Sequence, residues 1–270
     1  MRLDLGEAFT AEVKPPKWIV EGVVPAGTIV LVAGDPGVGK SVLSLAQGLH
    51  VALGLPYLGF KTRQTRVLYF DQENSKPDLT EYLRQLWAGL GRPNPAILND
   101  WMRVEHYSLG YDWHRRAAPI VREWQPGLIF VDTAASAFGI EDENDNAEAQ
   151  AAIQGLRGLI GLSAEEPAIE ILKHAKFQTG GGHGGETRRT IRGAKTWLGA
   201  VDQVLYHIRR PGRPGKDGLR DTLLVPDKSR AFGLRNNILI RPEYVGEEPS
   251  KGLILKGELY AAGKDLMVVE

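Results

Sequence analysis

A short glycine-rich segment, Gly34-Asp-Pro-Gly-Val-Gly-Lys40-Ser41, constrains this chain more than any other part of it. The segment matches the phosphate-binding pattern G-x-x-x-x-G-K-[ST] at every fixed position. An apolar block of strand length, residues 28–33, precedes it, and a long apolar stretch, residues 40–53, follows it and is closed by Gly54. Runs of these lengths predict a buried strand and a helix. The segment is therefore predicted to be a phosphate-binding loop between the two.

The residue types in this loop suit the polyphosphate of ATP. Glycines let the backbone turn its N–H groups inward, at the positive end of the following helix. Lys40 is expected to reach the β- and γ-phosphates, and the hydroxyl of Ser41 is expected to ligate Mg²⁺. The residues predicted to hold the nucleotide are Gly34, Asp35, Pro36, Gly37, Val38, Gly39, Lys40, Ser41 and Val42.

Composition excludes several other kinds of site. The chain has 270 residues, 33 basic and 33 acidic side chains, and no cysteine. This length suits one large α/β domain or two small ones. The absence of cysteine excludes disulfides, thiolate zinc sites and thiol nucleophiles. We find no membrane-length apolar stretch and no basic-then-apolar leader, so we expect a cytoplasmic protein without a membrane partner.

A second apolar strand, residues 66–71, ends at Asp71 and is followed by Glu73. A carboxylate just beyond the C-terminal end of a strand lies at the sheet edge where α/β proteins bind ligands. Glu73 is therefore the predicted catalytic group that orients the attacking water, with Asp71 as the competing choice. Either carboxylate could instead cap the helix that is predicted to begin near Pro77.

A later buried strand, residues 128–131, carries Asp132 at its tip. P-loop NTPases hold Mg²⁺ through a carboxylate in this position. Asp132 and Ser41 are therefore the predicted metal ligands. The acidic residues 141–146 that follow would repel a phosphate backbone, so we predict a solvated lead-in to the next helix there.

Residues 168–174 predict another strand, which places His174 beside the other strand tips. We predict that His174 senses the γ-phosphate through a hydrogen bond; the alternatives are a core residue or a ligand. Residues 176–195 then combine six glycines with five basic side chains. Because glycines oppose regular structure, this stretch is predicted to be a mobile loop that becomes ordered on an anion.

Single-stranded DNA is the anion that this loop fits, because a flexible basic loop binds backbone phosphates without reading sequence. The alternative is a surface loop without a ligand. The predicted DNA-binding residues are Lys176, Arg188, Arg189, Arg192 and Lys195.

The C-terminal part of the chain is predicted to be rich in strands. Residues 201–209 alternate apolar and polar side chains, and residues 219–225 return as a hairpin partner. Lys228 and Arg230 follow at i and i+2, so both cations point to one side of an extended segment. In an oligomer this pair could face the ATP of a neighbour.

Together these motifs resemble the RecA-like ATPases, and within them the plasmid RepA-type hexameric helicases. The resemblance covers about residues 18 to 235. It implies an α/β fold, a RecA-like P-loop NTPase core with a mostly parallel central sheet flanked by helices, and an antiparallel C-terminal β extension. We predict an N-terminal arm at residues 1–17 and one ATPase domain at residues 18–270. The motifs that carry the resemblance are the loop at 34–41, Gln72-Glu73, Asp132, His174 before its glycine-rich stretch, Arg192-Gly193 and Lys228-x-Arg230.

The resemblance also implies a role for each catalytic residue. Glu73 is the catalytic base, Asp132 holds magnesium, His174 senses the γ-phosphate, and Lys228 with Arg230 reaches the nucleotide of the adjacent subunit. One departure is that RepA-type proteins commonly have a His-His pair where this chain has Lys173-His174.

Two functions are predicted from these residues and this resemblance. The first is an ATP-driven motor that forms a homo-oligomeric ring, a hexamer by resemblance, on single-stranded DNA, as in plasmid or phage replicative helicases. The second is a recombination accessory or regulator that uses ATP as an assembly switch and unwinds nothing. Any loading or replication partner lies outside what the sequence indicates.

Overall fold

The structure is a computed structural model. It describes residues 5–10, 12, 15–106, 110, 113–138, 145–178, 188–191, 195–210, 212, 218–229, 233–247 and 251–260.

Helices and strands alternate through most of the described chain. The helices are α1 (Leu5–Thr10), α2 (Lys40–Leu53), α3 (Lys76–Gly89), α4 (Pro95–Trp101), α5 (Trp113–Trp124), α6 (Ala134–Phe138), α7 (Asn146–Ile160) and α8 (Lys195–Ala200). The strands are β1 (Trp18–Val20), β2 (Val24–Pro25), β3 (Ile29–Gly34), β4 (Val67–Asp71), β5 (Met102–Glu105), β6 (Leu128–Asp132), β7 (Ala168–Gln178), β8 (Arg188–Ile191), β9 (Gln203–Arg209), β10 (Thr222–Ser229), β11 (Asn237–Val245) and β12 (Gly252–Tyr260).

One large sheet has the strand order β12-β11-β10-β9-β3-β7-β6-β4-β5, and β8 pairs with β7 beyond it. The strands from β9 to β5 along this order run parallel to one another. The last strands of the chain, β10 to β12, are antiparallel. The mostly parallel core with an antiparallel C-terminal extension is therefore as predicted.

Local sequence explains where the elements begin and end. Every residue of β3, β4 and β6 is buried, as expected for parallel strands that are covered on both faces. Ser75 caps α3 by accepting a hydrogen bond from the backbone N–H of Asp78, and Asp145 caps α7 in the same way. Gly54 ends α2 in the left-handed conformation.

The core has one half on each face of the sheet. Side chains of α2 and α3 pack on one face, around Leu45, Tyr69 and Phe130. Side chains of α5 to α8 pack on the other face, around Trp113 and Trp197. Helices cover both faces of the sheet, so a ligand can reach it only at an edge. The predicted site residues lie at the edge formed by the carboxyl ends of the parallel strands.

The stretch that was predicted to be a mobile loop is partly regular. Strand β7 continues past His174 to Gln178, and Arg188 to Ile191 return beside it as β8. The prediction is wrong at these ends because the glycines are concentrated at residues 180–185, so the flanking residues remain able to pair. Residues 179–187 lie outside the described part of the chain.

Candidate active site

The phosphate-binding loop joins β3 to α2, as its pattern predicts. Gly39 precedes the helix with φ 98°, a conformation that side chains with a Cβ rarely adopt. Gly34 lies so close to β9 that a Cβ there would overlap the carbonyl oxygen of His207. Glycine is required at both positions for different reasons, one for backbone conformation and one for close approach.

Lys40 is buried in the loop and already has partners. Its ammonium donates hydrogen bonds to the carbonyl oxygens of Gly34 at 3.0 Å and Asp35 at 3.1 Å. The ring nitrogen Nδ1 of His174 lies 3.4 Å away. Burial lowers the pKa of Lys40, while the negative charges of Glu73 and Asp132 oppose that shift.

His174 connects Lys40 to Glu73. The register of β3 with β7 places His174 opposite Gly34, and the ring Nε2 lies 3.0 Å from Oε1 of Glu73. An ammonium can only donate, so Nδ1 is the acceptor and Nε2 carries the hydrogen that is donated to Glu73. This hydrogen bond is the main cause that lowers the pKa of Glu73 and keeps it ionised.

Asp71, the competing candidate for the base, is committed to structure. Its carboxylate is fully buried and accepts hydrogen bonds from the side-chain amide of Asn74 at 2.8 Å and from the backbone N–H of Glu73 at 3.4 Å. The ring of His106 lies 3.2 Å from its other oxygen. Asp71 therefore shapes the turn that presents Glu73, and we retain Glu73 as the predicted base.

Asp132 lies at the tip of β6, opposite Asp71 on β4. It is 1% exposed, and burial raises its pKa to about 6, while the Ser41 hydroxyl opposes that shift. Its oxygen Oδ1 is buried without a hydrogen-bond partner among the described residues. A buried carboxylate with an open oxygen beside a hydroxyl fits a hard cation such as Mg²⁺. Asp132 and Ser41 would hold it.

Lys173, the residue that departs from a His-His pair, points away from the edge of the sheet that carries the candidate site. Lys173 is 2% exposed and lies on the opposite face of the sheet from His174, because neighbouring strand residues alternate. Its ammonium sits 5.2 Å from the ring centre of Trp197. His174 faces the phosphate-binding loop, where its ring nitrogen Nδ1 lies 3.4 Å from the Lys40 ammonium.

The sequence of residues 2–162 matches the model of a family described as the AAA domain. The matched span is more than half of the 270-residue chain. The chain belongs to the AAA domain family. The crystal structure of RadB recombinase is similar, with a TM-score of 0.56 and 18% identity, over 81% of this chain and 88% of the other. No curated protein sequence matches the chain.

The predicted RecA-like fold is thus confirmed, and the AAA domain chain is a P-loop ATPase of that fold. Within the described ranges, none of its helices has the length and apolar character that crossing a membrane requires.

Sequence reasoning missed two residues of the site, His207 and Arg209, which β9 brings beside the phosphate-binding loop. His207 is buried beside the loop, and burial lowers its pKa to about 3, with the Lys40 charge acting in the same direction. Arg209 donates hydrogen bonds to the carbonyl oxygens of Gly37 at 2.9 Å and Pro36 at 3.4 Å. Only the parallel pairing of β9 with β3 brings these residues to the loop, and no local motif signals that pairing.

A cavity of about 620 Å³ opens beside the loop on the same side. It lies between the loop, α3 and the antiparallel strands β11 and β12. Its walls combine aliphatic and aromatic side chains with several polar ones. The apolar lining includes Val42, Tyr82, Ile240, Tyr244 and Leu255, and the polar lining includes Gln85, His207, Arg209, Arg220 and Thr222.

Lys228 is engaged within its own AAA domain. Its ammonium donates hydrogen bonds to the carbonyl oxygens of Leu198 at 2.5 Å, Gly199 at 2.9 Å and Val201 at 2.9 Å, at the end of α8. The expectation that Lys228 reaches a neighbour's nucleotide would require it to leave these carbonyls, and it stays a prediction. Arg230 lies outside the described residues.

The predicted DNA-binding residues are only partly within the described chain. Lys176 is on β7, two residues beyond His174, while Arg188 and Arg189 begin β8. Lys195 is the first residue of α8, and Arg192 lies outside the described residues. The backbone register pairs Lys176 with Thr190, so three of the predicted residues belong to one antiparallel hairpin that starts at the active site.

Proposed function

We propose that this AAA domain protein hydrolyses ATP and uses the reaction to act on single-stranded DNA, as a ring-forming motor of the replicative helicase type. One observation carries the proposal. His174 contacts both Lys40, which belongs to the phosphate cradle, and Glu73, the predicted base. A group in this position responds to the γ-phosphate and to the attacking water together.

Glu73 performs the acid–base chemistry. Its carboxylate is ionised because His174 donates a hydrogen bond to it, so it can accept a hydrogen bond from water and orient that water toward the γ-phosphate. Ser41 and Asp132 would hold Mg²⁺, and the ion would supply positive charge for the phosphate oxygens. Lys40 adds a second cation on the same phosphates.

The γ-phosphate competes with His174 for the Lys40 ammonium. When Lys40 turns to the phosphate, the imidazole keeps only its contact to Glu73 in this part of the site. The state of the nucleotide is thereby passed to β7, the strand that continues from His174 to Gln178. We assign the sensor role to His174 on this basis.

The cavity beside the loop supports a nucleoside site. The side chains of Tyr82, Tyr244 and Val42 line it and provide apolar contact area for a base. The amide of Gln85 adds a donor and an acceptor for the ring nitrogens. This combination of apolar walls and a few polar groups is typical of small-molecule sites.

Single-stranded DNA is placed on the β7–β8 hairpin and on the start of α8. Lys176, Arg188, Arg189, Arg192 and Lys195 supply cations for backbone phosphates. Because the hairpin continues directly from His174, a change at the γ-phosphate has a short route to the DNA. Arg230, with Lys228, is assigned to the nucleotide of the next subunit in the ring.

A second candidate is a recombination accessory or regulator that uses ATP as an assembly switch. The contacts of Lys228 support it, because they engage one of the two cations proposed for the subunit interface with carbonyl oxygens of its own chain. The fold similarity to the RadB recombinase agrees with this candidate.

The test compares ATP hydrolysis with and without single-stranded DNA, together with a strand-displacement assay. Glu73→Gln should bind ATP normally and lose hydrolysis by about 100-fold or more, because it removes the base but leaves the phosphate cradle. Glu123→Gln is the matched control, since this carboxylate lies on α5 with its side chain 75% exposed.

The outcomes separate the candidates. Hydrolysis that rises with DNA and drives strand displacement supports the motor, whereas DNA-stimulated hydrolysis without displacement supports the switch. Normal hydrolysis by Glu73→Gln would show that another group is the base.

A further inference from the structure

Tyr69 is buried beneath the candidate active site, where its hydroxyl contacts Asp132. It lies in the middle of β4 with no exposed surface. Its hydroxyl is 2.9 Å from Oδ2 of Asp132 and 3.0 Å from Oγ of Ser44 on α2. The phenol therefore bridges β6 and α2 from a third element.

The direction of these hydrogen bonds follows from the groups involved. An ionised carboxylate only accepts, so the single phenolic hydrogen is donated to Asp132. The hydroxyl of Ser44 lies 3.0 Å from the carbonyl oxygen of Lys40 and 3.1 Å from that of Ser41. Because the phenolic hydrogen is used by Asp132, the Ser44 hydroxyl is the donor to the phenolic oxygen. Ser44 is a residue of α2, so the bridge ends on the helix whose first turn carries Lys40 and Ser41.

This arrangement leaves one oxygen of Asp132 for a cation. Oδ2 has the Tyr69 hydroxyl at 2.9 Å and the Asn74 amide at 3.4 Å. Oδ1 has no hydrogen-bond partner among the described residues. A carboxylate that is held through one oxygen presents the other in a defined direction, and such outer hydrogen bonds orient metal ligands generally.

We infer that Tyr69 is a positioning residue for the metal, because it fixes the rotation of Asp132 relative to Ser41. The inference rests on the proposed function, in which Asp132 and Ser41 hold Mg²⁺. A tyrosine that only filled the core would stabilise the fold through its ring, and its hydroxyl would not affect metal binding.

Tyr69→Phe tests the role of the hydroxyl, and Tyr57→Phe is the matched control. Tyr57 is also buried, at 2% exposure, and its hydroxyl also bonds to α2, donating to the carbonyl oxygen of Leu43 at 3.2 Å. Each variant removes one buried phenolic oxygen next to the same helix. Only the oxygen of Tyr69 contacts Asp132.

The first measurement is a titration with Mn²⁺ in the presence of ADP, in which electron paramagnetic resonance detects binding of the ion. The second is the affinity for a fluorescent ATP analogue, measured in EDTA and across a Mg²⁺ titration. Tyr69→Phe should raise the half-saturating metal concentration about 10- to 100-fold, the usual effect of losing an outer-sphere partner. Nucleotide affinity in EDTA should stay at the wild-type value, and Tyr57→Phe should match wild type throughout.

Equal metal requirements for Tyr69→Phe and Tyr57→Phe would overturn the positioning role. If Tyr69→Phe does not fold, Ser44→Ala is the deciding variant. It removes the hydroxyl that links Tyr69 to α2, and alanine is a good helix former, so the helix should be preserved. A raised metal requirement in Ser44→Ala supports the role and an unchanged one overturns it. If the affinity of the wild-type protein for the nucleotide does not change with Mg²⁺ concentration, the proposed metal site itself is wrong.

Discussion

Replacing Glu170 with glutamine should make the stability of the chain less dependent on pH. Glu170 lies in β7, is 3% exposed, and accepts a hydrogen bond from the amide of Gln47 on α2. Burial raises the pKa of its carboxyl from 4.5 to about 7. The folded protein therefore keeps a proton on this group over a pH range in which the unfolded chain has released it.

The sign and size of the effect follow from this difference. Between about pH 4.5 and about pH 7 the folded state binds more protons, so the free energy of unfolding falls as the pH rises. A separation of about 2.5 pH units corresponds to a total loss of about 3 kcal/mol. Glutamine resembles the protonated acid and keeps an oxygen for Gln47, so Glu170→Gln should remove most of this loss.

Urea unfolding at about pH 5 and about pH 8 measures the effect. The variant should be close to wild type at the lower pH and more stable by about 2–3 kcal/mol at the higher one. Glu258→Gln, whose side chain is 62% exposed on β12, is the control and should not show this rise. A difference between Glu170→Gln and wild type that is the same at both pH values would refute the reasoning.

Two further predictions concern DNA and assembly. Changing Arg188, Arg189 and Arg192 together to alanine should weaken single-strand binding and flatten its salt dependence, by roughly 0.7 of a slope unit for each lost phosphate contact; unchanged affinity and slope in a salt titration would place the DNA elsewhere. Mixing Lys40→Ala with Arg230→Ala should restore part of the ATPase activity that each lacks alone, because one mixed interface pairs an intact loop with an intact finger; a mixture that co-assembles but stays inactive would contradict the finger.

Much of the candidate site was predictable because the parallel strands carry it at their tips. The loop at Gly34, Glu73, Asp132 and His174 each follow a short apolar run, and that run locates the end of a strand. Carboxyl ends of parallel strands share one edge, so residues distant in sequence were expected to meet. The structure brings Lys40, His174 and Glu73 into contact as that argument requires.

Other parts depend on pairings that no short pattern specifies. His207 and Arg209 reach the loop only because β9 pairs with β3. In the sequence, Tyr69 is indistinguishable from the other apolar residues of its strand. The contacts of its hydroxyl to Ser44 and Asp132 become known only once α2 and β6 are packed around it. The choice between Asp71 and Glu73 also needed coordinates, because His106, just after β5, lies against Asp71.

The carbonyl oxygens around Lys40 have a consequence for how the site meets its ligand. The ammonium has partners within the protein itself, the carbonyl oxygens of Gly34 and Asp35 and the ring of His174. A phosphate that arrives exchanges one set of partners for another, and no bare charge has to be exposed or buried first. The contribution of Lys40 to phosphate affinity is then the difference between its hydrogen bonds to the phosphate and its hydrogen bonds to the protein. This difference is smaller than the full strength of the phosphate contact, so binding stays reversible, as repeated turnover requires.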